Sequence, residues 1–552
     1  MSVVHHQLRR GCYLDSIVLL QMQRFLEEQP GVNEAAAIMA SRANLEILAA
    51  GRLAIEVDSR DEDLLLVARA EDESTASRAF EKVDDWLRQR GEKSAGEHRP
   101  RTLTTALQML PTAQWVSISV PGRYATRVAE EALDLGRNVF LYSDNVPLDE
   151  ERRLKETARA KGLLLLGPDC GTAIVNGVGL GFANRVRRGS IGLVAASGTG
   201  LQSVTTRIHA LGRGISHGLG TGGRDLHAEI GAATSHQALD LLARDPATRV
   251  IVLLSKPTSP ATAVALLARA RCTGKPVVVY LQDGSPPCRR LGPLFFATDL
   301  DDAAELATEL DTTDLGIVGP PRPGTGGFVR GLFSGGTLAL ELLQVLRTLV
   351  QPLYSNLSAE GVEPVSGHGA PGHSVIDLGS DELTLGLPHP MIDPQSRLDR
   401  LRREADDPKV GVVVLDVVLG DGSDADPAAS LAPTIAAIRA DRSLPILCLV
   451  VGTDLDPQNT DAQVQRLSDA GATVHLRLAD LADDLEGRLR ASDLEATETD
   501  LGALAAPAVV NVGLEAFYDS LREQEAEVVH VDWRPPAGGN EQLMSILEKL
   551  RS

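Results

Sequence analysis

The chain has 552 residues, 43% hydrophobic and 23% charged, a balance that suits a globular protein of roughly three to five domains. A formal charge of −21 repels phosphate backbones and argues against nucleic acid as a partner. The five cysteines are odd in number and far apart, which argues against a disulfide framework or a zinc site, so no metal is expected.

No run of about 18 apolar residues occurs, so no membrane partner is expected. The N-terminus, MSVVHHQLRRGCYLDS, lacks the apolar h-region of a signal peptide. A reduced, cytoplasmic protein is the expectation. Aromatic residues make up only 3%, so the core must be aliphatic, which suits buried parallel strands covered by helices.

Residues 1–95 alternate short strands (AAAIMAS, DLLLVARA) with helices and predict a small α+β domain. GEKSAGEHRPR (91–101) has no apolar periodicity and predicts a linker. In 96–187, WVSISV, NVFLYS and LLLLG are strands separated by two helices, the alternation of a Rossmann-like parallel sheet. A third unit, 188–318, starts at GSIGLVAASGTG and carries VIVLLSKPTSP and PVVVYLQDG. GPPRPGTGG marks the next boundary, and 327–500 repeats the third unit: GFVRGLFSGGTLALELLQVL parallels IGLVAASGTGLQSVTTRI. A last small unit, 501–552, predicts strand, helix, strand, loop and helix. The expected fold class is α/β: several doubly wound parallel-sheet domains, Rossmann-like and flavodoxin-like, behind a small α+β domain.

Both repeats place small residues where a strand ends and a helix begins: Ser197, Gly198, Thr199, Gly200 and Ser334, Gly335, Gly336, Thr337. First-turn amides have no partners inside the helix and lie at its positive end. Glycine lets an anion approach, and the hydroxyls add donors, so each corner suits phosphate or carboxylate. Ordinary helix caps fit the same residues. A third corner, LDVVLGDGSDADPAAS, offers Gly420, Gly422 and Ser423 but crowds Asp421, Asp424 and Asp426 around them; Asp426 is expected to cap the helix at Pro427. GLPHPMIDP holds His389 in a proline-flanked loop, aimed at a site or simply solvated.

The stretch NVPLDEERRLKETARAKGLLLLGPDCGTAIVNGVGLGF followed by GSIGLVAASGTG resembles the α subunit of succinyl-CoA synthetase. SGGTLALELL, VIDLGSDE and VVVLDVVLGDGSDADP resemble the carboxyl-terminal domain of its β subunit, without the ATP-grasp part. Taken end to end, RRGCYLDSIVLL, GPDCGTAI, ASGTG, GGRDL, PHPMIDP and VVHVDWRPPAGGN resemble the FdrA family. Where the synthetase carries its phosphorylated histidine, this chain reads SPPCRRLGPLFFATD (285–299), with no histidine; where a supporting glutamate would fall stand Ser255 and Lys256.

The resemblance therefore implies a substrate that brings its own phosphate. It implies a subunit of an oxamate carbamoyltransferase complex of allantoin breakdown, acting with two partner proteins. The reaction is carbamoyl phosphate plus oxamate to oxalurate plus phosphate and back. In this reading the two corners hold the phosphate, and Arg224 clamps a carboxylate unless it pairs with Asp225 or a surface acid. Lys256 neutralises anionic substrate, and His389 is the general acid or base. Asp169, Gly171, Gly222, Gly223, Gly420, Gly422 and Ser423 complete the expected site. Cys170, with no base beside it, is assigned packing. No cofactor is required, and neither CoA nor nucleotide is expected; a homo- or hetero-oligomer is. The alternatives are a CoA ligase half-enzyme, although RTLTTALQMLPTAQ lacks the glycines of a CoA loop, and a non-catalytic scaffold or regulator.

Overall fold

The computed structural model describes residues 3–535 except 11, 13, 15, 52, 56, 61–62, 95–98, 283–287, 314–325, 366–368 and 490–497. The chain forms two compact units, residues 1–150 with 506–552, and residues 151–505.

In the first unit, β1 (Val3–Arg9), α1 (Ser16–Glu27), β2 (Val32–Met39), α2 (Arg42–Ala50), β3 (Leu64–Ala70) and α3 (Glu73–Ser94) make the small α+β fold. Its sheet order is β1-β3-β2, antiparallel throughout. β3, LLLVARA, lies in the middle and is buried along nearly all its length. α3 runs through 91–94, so the expected linker begins later than its composition suggests. Then come α4 (Leu103–Met109), β4 (Trp115–Ile118), α5 (Gly122–Asp134) and β5 (Asn138–Leu141).

The strands of the 501–552 unit join the sheet of β4 and β5. Its strands β22 (Val509–Val512) and β23 (Val528–Val531), joined by α17 (Glu515–Glu523), pair in parallel in the order β23-β22-β4-β5. Two strands expose both edges, and adding them to β4 buries one. The helix expected at the C-terminus lies outside the described residues.

The second unit takes up α6 (Leu148–Ala160) from Glu151, then β6 (Leu165–Leu166) and the hairpin β7 (Thr172–Val175) and β8 (Val178–Gly181). β9 (Arg188–Ala195), α7 (Gly198–Ala210), β10 (Ile215–Gly220), α8 (Ala233–Arg244), β11 (Val250–Ser255), α9 (Pro260–Arg271), β12 (Val277–Leu281), β13 (Arg290–Leu291), β14 (Leu294–Phe296) and α10 (Leu300–Thr312) follow. The parallel strands stand in the order β10-β9-β11-β12-β14, second-first-third-fourth-fifth, the flavodoxin-like winding. β7 closes one side, antiparallel to β10.

The second sheet contains β15 (Phe328–Phe333), α11 (Gly336–Leu346), β16 (Leu353–Ser355), β17 (Glu363–Pro364), β18 (His373–Asp377), α12 (Asp381–Thr384), α13 (Gln395–Asp406), β19 (Val410–Val418), α14 (Pro427–Asp441), β20 (Ile446–Val451), α15 (Thr460–Asp469), β21 (Thr473–His475) and α16 (Leu478–Arg488). Its order, β18-β15-β19-β20-β21, repeats that winding, with β16 and β17 added outside β18. Both cores are aliphatic, as the low aromatic content requires. In such sheets ligands bind beyond the carboxyl ends of the strands, where the winding reverses. That places the crevice between β9 and β11 in one sheet and between β15 and β19 in the other.

Candidate functional site

The first corner follows β9. Ser197 caps α7, its hydroxyl accepting from the amide of Gly200 at 3.1 Å. The Gly198 and Thr199 amides have no hydrogen-bond partner among the described residues. A Cβ on Gly198 would sit 3.3 Å from Thr172 Oγ1 and 3.8 Å from the Gly171 Cα, so the 167–172 loop lies directly beside this helix start.

On its other side, the same loop meets residues 220–223. A Cβ on Gly220 would meet the Thr172 carbonyl and Cys170 Sγ, and one on Gly222 the Pro168 carbonyl. Only glycine allows these approaches, and Gly222 also has a φ of +89°. Cys170 is fully buried, its thiol pushed up to about 12 by burial, which leaves no thiolate and fits the packing role.

At Gly223 the cradle is charged. The position of a Cβ there lies 2.9 Å from Lys256 Nζ and 3.1 Å from Asp169 Oδ2. Lys256 follows β11 and Gly223 follows β10, the two neighbours of β9. The Lys256 side chain therefore reaches across the carboxyl end of β9, beside the first corner. Its ammonium makes no hydrogen bond or ion pair within 4.0 Å among the described residues, and Lys256 is half-buried. Asp169, exposed and at φ +56°, lies within roughly 6 Å of it.

Arg224 is not an open carboxylate clamp. It lies 2.8 Å from Glu151, a fully buried carboxylate on α6 that also faces Lys155 at 3.1 Å. Lys155 in turn binds Asp225 at 2.7 Å and the Thr221 carbonyl. Burial pushes the Asp225 carboxyl up, but Lys155, Ser235 and the Thr234 amide outweigh it and hold it below its ordinary value. Two acids and two bases balance under the 221–225 loop and fix it to α6. The sequence suggested Asp225 or a surface acid as the partner of Arg224. The partner is Glu151, some 70 residues upstream on a different element.

The second corner has a different character. Asp416 on β19 accepts the Ser334 amide at 2.8 Å and the Ser334 hydroxyl at 2.9 Å. Arg397 balances Asp416 at 2.8 Å. A Cβ on Gly336 would lie 2.9 Å from Asp377 Oδ2. Asp377 is raised above its ordinary value, by burial first and by Asp416. His389 Nδ1 accepts the Met391 amide at 3.2 Å, and its Nε2 lies 2.6 Å from the position of a Cβ on Gly379, which Asp377 Oδ1 also faces at 3.2 Å. His389 thus stands at this corner, between Ser334 and Asp377. Thr337 follows on the first turn of α11.

Gly420, Gly422 and Ser423 form a loop closed on itself: Ser423 Oγ donates to the Gly420 carbonyl, and the Gln458 amide spans Gly420, Ser423 and Asp424. Asp426 caps α14 through the Ala429 amide, as its place before Pro427 implied.

Lys256 lines a cavity of about 240 Å³ that Arg347 and Thr348, at the C-terminal end of α11, also line. Gly336, at the other end, is an 11-residue helix away, about 16 Å at 1.5 Å per residue. His389 belongs to the Gly336 end of α11, opposite the end that lines this cavity. Of the missed residues, Glu151, Lys155, Asp377, Asp416 and Arg397, only Asp377 and Asp416 had a sequence signal: carboxylates towards strand ends, as in VIDLGSDE.

Residues 332–487 match the CoA-ligase family model, and residues 1–102 match the model described as AllF, heavy metal-associated domain. The uncharacterized protein YahF of Escherichia coli (strain K12) is 38% identical over 487 residues, covering 84% of this chain and 94% of YahF. The chain belongs to the YahF family. The α subunit of succinate–CoA ligase (ADP-forming) from Aquifex aeolicus (strain VF5) is 28% identical over 185 residues, 32% of this chain. The chain spans 58% of that subunit's length. Among solved structures, the apo dinucleotide-forming acetyl-coenzyme A synthetase 1 of Ca. Korarchaeum cryptofilum matches at 15% identity and a TM-score of 0.29, over 74% of this chain and 85% of that one.

This member of the YahF family thus combines a CoA-ligase-like domain with an AllF-type N-terminal domain. The metal in that domain's description finds little to bind here. Residues 1–102 contain one cysteine, Cys12, whose thiol is pushed up by burial, and no group of three His, Cys, Asp or Glu that could hold a metal occurs among the described residues. No helix among the described residues is long and apolar enough to cross a membrane.

Proposed function

We propose that the chain is the phosphate-binding subunit of a carbamoyltransferase complex of the FdrA type, interconverting carbamoyl phosphate plus oxamate and oxalurate plus phosphate. The observation that carries this reading is the first corner. Two first-turn amides without partners among the described residues stand at the carboxyl end of β9, and the Lys256 ammonium, itself without a partner among the described residues, lies by Gly223 after the neighbouring β10. The donor's phosphate sits on the amides of Gly198 and Thr199, with the Ser197 and Thr199 hydroxyls beside it.

The oxamate amide nitrogen attacks the carbamoyl carbon and forms a C–N bond. The C–O bond to phosphate breaks, and the nitrogen's proton leaves on the phosphate. Lys256 stabilises the charge collecting on the departing phosphate. The two partner proteins of the expected complex are part of this reading.

The test is protection of the full chain against heat by inorganic phosphate, and carbamoyl transfer with the partners added. Gly198→Val and Lys256→Gln should each abolish the protection. Protection unchanged in both overturns the reading.

A second reading, a CoA-ligase-like half-enzyme, is favoured by the family match over 332–487 and by the succinate–CoA ligase relatives. It requires CoA to bind the isolated chain, which calorimetry with CoA measures directly.

A further inference from the structure

We propose that two copies of this chain pair through β1, edge to edge and antiparallel, about a two-fold axis at His6. The small α+β domains of the two copies thereby join their three-stranded sheets into one sheet of six strands. This pairing is independent of the transferase reading.

The edge is open. β1 stands first in the order β1-β3-β2 and pairs with β3 through all seven of its residues, from Val3 opposite Ala70 to Arg9 opposite Leu64, without a bulge. No strand among the described residues pairs with its other side. Along such an outer strand, every second residue turns its amide and carbonyl outward. These groups are a template for a further strand, and sheets that must stay single block it with prolines, charges or bulges. β1, VVHHQLR, has no proline, lysine or carboxylate. Its one permanent charge, Arg9, is held on α3 by Asp84 at 2.7 Å and by the Phe80 carbonyl at 2.9 Å. The opposite edge is built differently. β2 carries a bulge between Val32 and Glu34, and Glu34 is an acid facing Arg69 at 3.5 Å. The sheet protects one edge and leaves the other ready to pair.

Self-complementarity selects the occupant. Identical strands related by a two-fold axis pair antiparallel, residue i meeting j and j meeting i. With the axis at His6, Val4 meets Leu8 of the second copy, Leu8 meets Val4, Val3 meets Arg9, and His5 meets Gln7. Val4 and Leu8 are half-buried and pack on the apolar face that Leu48, Leu53, Leu65 and Val67 form, so their pairing carries that core across the seam. Val3, 50% exposed, is covered by the aliphatic stem of Arg9. No carboxylate faces a carboxylate, and no arginine faces an arginine. Moving the axis to His5 or to Gln7 would set Val4 against His6 or against Arg10 and break both apolar pairs.

Sedimentation velocity of the full chain at neutral pH, from about 1 to about 100 μM, tests the assignment, because a seven-residue seam predicts association in the micromolar range. The unaltered chain should run as a dimer at the upper end of that range. His6 is exposed, so its replacement spares the fold. His6→Glu and His6→Lys each set like charges face to face at the axis and should each weaken association at least tenfold. An equimolar mixture of the two variants should recover the dimer, because glutamate then faces lysine across the seam. A chain that stays monomeric at every concentration overturns the proposal, as does a dimer that neither variant weakens. Association lost in both variants and not recovered in their mixture also overturns it, since a strand merely damaged by substitution gives that result.

Discussion

Asp416 holds Ser334 twice, accepting its amide at 2.8 Å and its hydroxyl at 2.9 Å. On β15, Leu332 pairs with Leu415, so the next residue of β19 is Asp416; on β9, Ala195 pairs with Leu254, so the next residue of β11 is Ser255. An acid in one sheet is thus a serine in the other. This exchange makes two corners of similar sequence electrostatically unlike. The second is already furnished with the protein's own carboxylates, while near the first a lysine stands beside one exposed carboxylate, Asp169.

Asp416→Asn should destabilise the fold strongly, because Arg397 is buried and would keep its charge without a carboxylate. A loss of about 3 kcal/mol is expected from urea unfolding, and Ser334→Ala should lose about 1 kcal/mol. Phosphate protection should not change in Ser334→Ala, since the phosphate is assigned to the other corner.

Glu151 is the acid on which Lys155 and Arg224 converge, with side-chain exposures of 0%, 1% and 34%. Glu151→Ala should cost about 3–5 kcal/mol, the range for breaking a buried ion pair from one side. Arg224→Ala should cost less, because Glu151 keeps Lys155. Urea unfolding of both variants compares them, and equal losses would show that Arg224 is needed for more than its charge.

Four histidines, His217 and His530 buried and His236 and His373 half-buried, predict an acid-sensitive fold. His217, His236, His373 and His530 are each lowered from 6.5 to about 4, chiefly by burial. In His217 and His373, Nδ1 already accepts a backbone amide, from Asn176 and Val329, so protonation must break that bond. The unfolded chain binds these protons at higher pH than the folded one. Their contribution is therefore complete above pH 6.5 and is lost as pH falls towards 4. Unfolding free energy should drop between pH 7 and pH 5 by up to about 2 kcal/mol per histidine, and His373→Gln should flatten the slope by one share.

Asp169 stands within roughly 6 Å of Lys256 and weakens its field. Asp169→Asn removes one negative charge while asparagine tolerates the φ of +56°. Phosphate affinity should rise about two- to fivefold at low salt, with the gain shrinking as salt is added. A titration of phosphate protection at two ionic strengths reads both effects.

The sequence by itself determined the layers. Aliphatic strand runs alternating with helices predict buried parallel sheets, and the repeat of GLVAASGTG in GLFSGGT predicts two sheets of one winding, because hydrophobic period and glycine placement are local properties. It also determined the cap at Asp426, where a proline fixes the first helical residue. Tertiary structure decided which strands share a sheet. The sequence gives no partner for the 501–552 strands, and β22 pairs with β4, nearly 400 residues away, because two strands alone leave both edges open. It also decided the charges around each corner. Nothing local in SGGT shows Asp416 or Asp377, and nothing in GTGGRDL shows Glu151, because those acids arrive from other strands and helices. Lys256 followed the same rule: it was visible as a residue, but only the order β10-β9-β11 carries its ammonium across the end of β9 to the corner where an anion can meet it.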